Sequence, residues 1–161
     1  MRVALDSNVL LYAQGMNDPD RQRRAREVIA HLIQADIVIP VQALGEVFAV
    51  LTRKFGETAE NARAVLMRWH DGYEVAPTTD RVLLRAADLA ADHRLNIWDA
   101  VIFATAAEVG CGILLSEDMQ DGFIWGGVQV LNPFRPEGWT RLQPLITRDR
   151  TSPPSENGAP A

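Results

Sequence analysis

Short, wholly apolar runs alternate in this chain with longer segments of helical periodicity, and this alternation constrains the fold most strongly. The runs at residues 3–5, 37–39 and 113–115 lack polar positions, which is typical of strands buried on both faces of a parallel sheet. Between them, apolar residues recur at the spacing of amphipathic helices. The pattern predicts an α/β domain with three layers, in which helices cover a central parallel sheet.

Local signals set the predicted boundaries of these elements. We predict strands at residues 2–6, 37–39, 73–76, 112–116 and 128–131, and helices at 18–33, 41–55, 58–69, 79–90 and 98–109. Asp18-Pro19 and Thr58 are typical of helix starts, and Gly56 and Gly110 are typical of helix ends. Residues 9–13 continue apolar and indicate either a helix start or a tight connection.

The length of 161 residues fits one domain, which we place at residues 1–146. Residues 147–161 contain three of the nine prolines and few apolar side chains, so we predict a disordered tail. No apolar run approaches the ~20 residues of a membrane helix, and the N-terminus enters a strand without the features of a signal peptide. These observations predict a cytoplasmic protein without a membrane partner. The single cysteine, Cys111, is interpreted as a small core residue.

Four acidic residues stand where a predicted strand ends or in the first half of a predicted helix: Asp6, Glu46, Asp99 and Asp118. Ligands of open parallel sheets bind beyond the carboxyl ends of the strands, so these side chains can converge there. Two carboxylates ~4 Å apart repel by about 4 kcal/mol at an effective dielectric of ~20. A convergent set therefore requires a cation, and an all-oxygen set suits Mg²⁺ or Mn²⁺.

Structural alternatives exist for these residues. Asp6 and Asp99 can simply favour the start of a helix, and Glu46 can lie on the surface. Glu117 and Asp121 are alternatives to Asp118 in the set, although Asp121-Gly122 is typical of a turn and Glu117 can point to solvent. The short polar residues beside them are placed to orient a carboxylate or a bound water, or simply to form turns: Ser7, Asn8 and Ser116.

Several other site classes lack their motifs in this chain. Neither the glycine-rich dinucleotide fingerprint nor the P-loop is present, and Asn8 replaces the second acid of the Asp-x-Asp phosphatase pattern. A receiver-like phosphoacceptor domain remains an alternative, although it requires adjacent early acids and a late lysine, and the only lysine is Lys54. A non-catalytic binding module is the third hypothesis. The histidines are interpreted as surface or capping residues rather than as a general base: His31, His70 and His93.

Short motifs around the four acids resemble those of PIN-domain ribonucleases, and in particular VapC-type toxins of toxin–antitoxin pairs. The resemblance extends over Met1 to Phe134 and is carried by Leu5-Asp6-Ser7-Asn8-Val9-Leu10, Glu46-Val47, Trp98-Asp99-Ala100 and Leu115-Ser116-Glu117-Asp118. It implies a three-layer α/β/α fold and Mg²⁺- or Mn²⁺-dependent cleavage of single-stranded or looped RNA. It also implies that the catalytic, metal-binding acids are Asp6, Glu46, Asp99 and Asp118.

The net charge of −5 argues against a strongly basic nucleic-acid clamp, so contacts to RNA phosphates must be local. The candidate basic residues for these contacts lie on the first long helix and at the end of the next: Arg21, Arg23, Arg24, Arg26, Arg53 and Lys54. The resemblance also implies a homodimer silenced by a cognate antitoxin, and Arg21, Arg24, Arg53 and Lys54 are equally candidates for antitoxin contact.

Overall fold

A computed structural model describes residues 1–16, 18–32 and 36–148. Its elements, in chain order, are β1 (Val3–Leu5), α1 (Ser7–Ala13), α2 (Pro19–His31), β2 (Ile37–Pro40), α3 (Val41–Arg53), α4 (Ala59–Gly72), β3 (Glu74–Ala76), α5 (Asp80–His93), α6 (Ile97–Glu108), β4 (Ile113–Leu115), β5 (Ile124–Trp125), β6 (Val128–Leu131) and α7 (Pro136–Arg148). The predicted alternation of strands and helices is confirmed. The predicted tail lies outside the described residues from position 149 onward.

The described strands form a six-stranded sheet with the order β3-β2-β1-β4-β6-β5. Every neighbouring pair is parallel except β5 and β6, which are antiparallel. All residues of β1, β2 and β4 are buried, as the continuous apolar runs predicted, because both faces of these strands are covered. The three-layer α/β/α prediction is confirmed, with an antiparallel edge strand added to the parallel sheet.

The order of the strands creates a switch point at the centre of the sheet. From β1 the chain proceeds outward to β2 and β3, and it then crosses back to place β4 on the other side of β1. Helices that connect the strands in opposite directions lie on opposite faces when crossovers are right-handed, which leaves a crevice at the carboxyl ends of β1 and β4. A receiver-like order, 2-1-3-4-5, would place β3 beside β1, so this topology disfavours the receiver-like alternative.

Most predicted helix starts are confirmed by their capping hydrogen bonds. Asp18 accepts from the backbone N–H groups of residues 20 and 21, and Thr58 accepts from that of residue 61. The prediction for α6 was one residue late, because Asn96 caps it through the N–H of Trp98. Asp99 therefore lies in the first turn of α6 and is not its N-cap.

The sequence interpretation missed β5 and α7. The β5 strand has only two residues and turns back through Gly126 and Gly127, both with positive φ, so no hydrophobic alternation could develop. A signal for α7 was present, since Trp139, Leu142 and Leu145 recur every three residues, but Pro144 inside the helix obscured it.

The core is continuous around α6, in which the seven residues from Ala100 to Ala106 are all buried. A helix that is apolar on all sides belongs in the interior. Cys111 is 4% exposed, which confirms its interpretation as a core residue. None of the described helices is both long and apolar enough to cross a bilayer.

Candidate functional site

Asp6 is the most buried of the four predicted acids, at 3% exposure. It follows β1 and caps α1, so its Oδ1 accepts a 2.6 Å hydrogen bond from the backbone N–H of Ser7. Its Oδ2 accepts from the hydroxyl of Ser116 at 2.6 Å and from Nδ2 of Asn8 at 3.1 Å. Asp6 is thus both a helix cap and a fixed carboxylate at the carboxyl end of the central strand.

Two short side chains connect Asp6 with acids from distant parts of the sequence. The hydroxyl of Ser7 donates to Glu46 Oε2 at 2.8 Å, and Nδ2 of Asn8 donates to Asp118 Oδ2 at 3.3 Å. Oδ1 of Asn8 also accepts from the backbone N–H of Glu117 at 3.2 Å, which fixes the amide orientation. The predicted orienting residues therefore all contact at least one predicted acid.

Electrostatic coupling places Asp99 in the same group. The pKa of Asp6 is raised to about 7, chiefly by burial; the hydrogen bonds from Ser116 and Ser7 lower it, and the negative charges of Glu46 and Asp99 raise it. Partial burial also raises the pKa of Asp99, with further contributions from Glu46 and Asp118. The negative charges of Glu46, Asp99 and Asp118 therefore each act on at least one other acid of the set, and like charges disfavour ionisation.

The structure distinguishes between the acids that follow β4. Glu117 accepts hydrogen bonds from the hydroxyl of Tyr12 and from Nε of Arg21, the latter at 2.7 Å. Asp121 contacts Arg141 and the backbone N–H of Asn132. Both alternatives to Asp118 therefore have partners away from the other acids, whereas Asp118 is exposed and linked to Asn8.

A cleft of about 380 Å³ opens beside these acids, and we call it the acidic cleft. One half is polar and is formed by Ser7, Asn8, Glu46 and Asp118; the other half is formed by Leu11, Tyr12, Met16, Val50, Phe55 and Lys54. The acidic cleft thus combines carboxylate oxygens with an aromatic and aliphatic wall. Among the described cationic residues, only Lys54 lines it.

The other predicted basic contacts lie outside the acidic cleft. Arg21 pairs with Asp18 and Glu117, each at 2.7 Å, and Arg24 pairs with Glu27 at 3.0 Å and covers the ring of Trp139. The remaining predicted cations have these positions: Arg23 pairs with Asp20, Arg26 donates to the carbonyl of Ala13, and Arg53 ends α3.

The histidines contact groups outside the acidic cleft, as the sequence interpretation expected. His31 bonds the carbonyl of Glu27, His70 lies beside Asp71, and His93 packs edge-on against Phe123.

The donor chemistry of the site fits a hard divalent cation. Among the described residues, no three acidic, histidine or cysteine side chains already converge closely enough to enclose an ion. Asp6, Glu46 and Asp118 are instead linked through Ser7 and Asn8. Burial, with a smaller contribution from neighbouring negative charges, raises the pKa values of Asp6 and Asp99. Oxygen donors with excess negative charge are the ligands that Mg²⁺ and Mn²⁺ prefer.

Sequence reasoning missed several residues of the site. Gln42 donates to Glu46 Oε1 at 3.2 Å, and its position four residues before Glu46 on the same helix was a usable signal. Tyr12 and Phe55 form the aromatic wall. Their convergence depends on how α1 packs against α3, which no local pattern in the sequence encodes.

Comparisons with known proteins identify the family and the fold. A family model described as the PIN domain matches residues 3–120. Similar structures include the sarcin-ricin loop cleaving toxin VapC20 of Mycobacterium tuberculosis, at 20% identity and a TM-score of 0.60, covering 70% of this chain and 86% of that one. Comparison with curated protein sequences gave no match.

Two further similar structures are complexes. A toxin–antitoxin complex from Klebsiella pneumoniae has 20% identity and a TM-score of 0.61, covering 81% of this chain and 97% of that one. The DNA-bound VapBC of Salmonella typhimurium has 13% identity and a TM-score of 0.60, covering 83% and 98%. At these identities, the likeness establishes a shared fold.

Proposed function

This chain belongs to the PIN domain family, and from that membership we propose that it is a divalent-metal-dependent endoribonuclease. The observation that carries the proposal is the linkage of Asp6 to Glu46 through Ser7 and to Asp118 through Asn8. These residues come from three separate elements and meet at the switch point of the sheet, where ligands of such folds bind. The proposed reaction is hydrolysis of a phosphodiester bond of RNA in the cytoplasm.

In this proposal, Asp6 and Asp99 are the principal ligands of Mg²⁺ or Mn²⁺, and Glu46 and Asp118 complete the acidic set. A bound divalent ion supplies neutralisation of phosphate charge and a lower pKa for an attacking water. The chain itself holds the carboxylates in position. Ser116 and the backbone N–H of Ser7 fix Asp6, while Gln42 and the Ser7 hydroxyl hold the two oxygens of Glu46.

Hydrogen bonds from these neutral groups orient the carboxylates while keeping their negative charge available. Asn8 has a related role, because its amide donates to Asp6 and Asp118 at once. Such supporting partners of metal-binding carboxylates typically change metal affinity or activity by 10–100-fold when they are removed. We therefore assign Ser7, Asn8 and Ser116 to positioning.

We further propose that the chain is the toxin of a toxin–antitoxin pair and acts as a homodimer. The support is the fold shared with the toxin–antitoxin complex of Klebsiella pneumoniae and with the VapBC complex of Salmonella typhimurium. Arg21, Arg24, Arg53 and Lys54 remain candidates for contact with RNA or with the antitoxin. Expression of this chain alone should arrest growth, and an Asp6→Asn variant should not. Equal growth with both chains would contradict the toxin assignment.

The test of the nuclease proposal is cleavage of labelled RNA by the purified chain with Mn²⁺, Mg²⁺ or EDTA. We expect Asp6→Asn and Asp99→Asn to reduce cleavage by about 10³-fold, because losing several kcal/mol of charge stabilisation gives about tenfold per 1.4 kcal/mol. Asp92→Asn, an exposed acid at the end of α5, is the matched control and should cleave like the wild type.

Cleavage that survives in both site variants would refute the assignment, and so would cleavage unaffected by EDTA. Calorimetric titration with Mn²⁺ tests the remaining alternative, a non-catalytic module whose acids only cap helices. Such a module would show no Mn²⁺ site that depends on Asp6.

A further inference from the structure

We propose that the apolar half of the acidic cleft binds one unpaired nucleobase of the RNA, beside the phosphodiester bond that is cut. The inference rests on the proposed nuclease function and adds to it the part of the substrate that this chain recognises. The residues that carry it are Tyr12 and Phe55, which offer aromatic surface, and Lys54, which offers positive charge.

The two halves of the acidic cleft form one continuous cavity. Glu46 and Asp118 line the same cavity as Tyr12 and Phe55. In a nucleotide, one sugar separates the base from its phosphate, so a phosphate held at the acids has its base within reach of the aromatic wall. The volume of about 380 Å³ lies within the ~300–1,000 Å³ typical of small-ligand sites.

The backbone at the end of α3 holds one aromatic surface in place. The N–H groups of Lys54 and Phe55 both donate to the carbonyl of Val50, at 2.9 and 3.3 Å. Gly56 follows with φ +68°, a conformation that glycine adopts without strain. The turn leaves Phe55 half-buried against the acidic cleft, with Lys54 Nζ 5.7 Å from its ring centroid.

The second aromatic surface is fixed independently. The hydroxyl of Tyr12 donates to Glu117, and its ring packs edge-on against Phe134 with centroids 5.0 Å apart. Both rings are therefore positioned before a ligand arrives, which reduces the entropy lost on binding. Aromatic side chains held in this way are the usual stacking surfaces for single-stranded bases.

The charges favour a nucleotide over a protein segment as the occupant. The ammonium group of Lys54 can bind a phosphate while the aromatic ring beside it stacks on the attached base. The carboxylates on the opposite side can bind a divalent ion that the same phosphate also contacts. A base paired within a helix is stacked and cannot enter such a cavity, so the substrate must present it unpaired.

The test uses an unstructured RNA with one cleavage site, Mn²⁺ and the full chain. The nucleotide on each side of the cut is replaced in turn by an abasic ribose. At one of the two positions, we expect kcat/KM of the wild type to fall about tenfold, the size expected for the loss of one base–aromatic stack. Phe55→Leu should lose a similar factor on the intact RNA and almost nothing more on the abasic RNA.

Phe48→Leu is the matched control for Phe55→Leu. Phe48 is also half-buried on α3, but it lines a separate groove with Arg63 and Leu66. It should keep both the wild-type efficiency and the full loss on abasic RNA. In the same way, Lys54→Gln should raise KM and reduce the salt dependence of binding by about one phosphate contact, whereas Arg63→Gln should change neither.

The proposal is overturned if the wild type cleaves, Asp6→Asn does not, and yet the abasic RNAs and Phe55→Leu both retain wild-type kcat/KM. The acidic cleft would then serve another occupant, such as a segment of a partner protein. Absence of metal-dependent cleavage in the wild type is a different result, since it removes the nuclease function itself.

Discussion

Glu117 and Asp118 are neighbours in the sequence, yet their carboxylates are bound by different kinds of group. Glu117 pairs with the guanidinium of Arg21 at 2.7 Å, whereas Asp118 accepts a hydrogen bond from the neutral amide of Asn8. A guanidinium cancels the charge of a carboxylate, and an amide orients it without cancelling it. The first arrangement fastens α2 to the end of β4, and the second leaves a negative charge available to a ligand.

The same contrast holds across the molecule. Several acids outside the acidic cleft pair with arginine, as Glu108 does with Arg85 at 3.1 Å and Asp121 does with Arg141. The buried Asp6, in contrast, accepts hydrogen bonds from hydroxyl, amide and backbone donors. The proposed cation would compensate the charge of this cluster, and four measurements test that proposal.

The largest expected effect is a pH dependence of stability in metal-free buffer. The pKa of Asp6 is about 7 in the folded chain against an ordinary value of 3.8, so the folded state binds the proton more tightly than the unfolded state. The contribution of protonated Asp6 to the free energy of unfolding is complete below pH ~4, declines between pH ~4 and pH ~7, and is absent above pH ~7. The total is about 4 kcal/mol, at about 1.4 kcal/mol per pH unit.

Urea unfolding between pH 4 and 8 in EDTA measures this effect. Asp6→Asn should lose most of the decline, because its side chain does not ionise, whereas Asp92→Asn should keep it. An identical pH profile for Asp6→Asn and the wild type would show that the buried carboxylate is not destabilising.

The second effect is stabilisation by the ion itself. At pH 8, Mn²⁺ at 100 times its Kd should raise the free energy of unfolding of the wild type by about 2.7 kcal/mol. Asp6→Asn should gain clearly less at the same concentration. Thermal melts with and without Mn²⁺ provide the measurement, and an equal gain in both proteins would place the ion elsewhere.

A third, smaller effect is expected from the hydrogen bond that positions the Asp6 carboxylate. Ser116→Ala removes the 2.6 Å hydrogen bond that lowers the pKa of Asp6, so the acidic limb of the pH–activity profile should move to higher pH. Activity at neutral pH should fall by about tenfold. A fall in activity without any movement of the profile would indicate a packing defect instead.

The smallest effect should appear at the charge-compensated acid. Glu117→Gln weakens the pair with Arg21, which is partly exposed, and should destabilise the chain by about 1 kcal/mol or less. Its cleavage rate should stay within about threefold of the wild type. A loss as large as that of Asp118→Asn would mean that compensation by Arg21 does not separate the two acids.

The parts of the fold that are set by local sequence could be predicted. The runs that form β1, β2 and β4 are continuous in apolar residues, and Asp18 and Thr58 are strong capping residues. The acids could be identified as candidates because strand ends are visible in the sequence. Their roles in metal binding remain predictions.

What could not be predicted depends on packing between elements. Nothing local indicates that Arg21 reaches Glu117 across 96 positions or that Phe55 and Tyr12 share a wall. The α7 helix was missed although its apolar spacing was readable, because Pro144 normally ends a helix. Tertiary contacts here override the local signal, as the burial of Leu142 shows.

The placement of β1 directly beside β4 has a consequence for biosynthesis. Asp6 and Asp118 are 112 positions apart, and Asn8 bridges them only after the later strand has paired with the first. Such distant pairing is slow compared with local helix formation. A nascent chain from which residue 118 has not yet emerged therefore lacks the assembled centre, so the proposed activity cannot begin until β4 has left the ribosome and paired with β1.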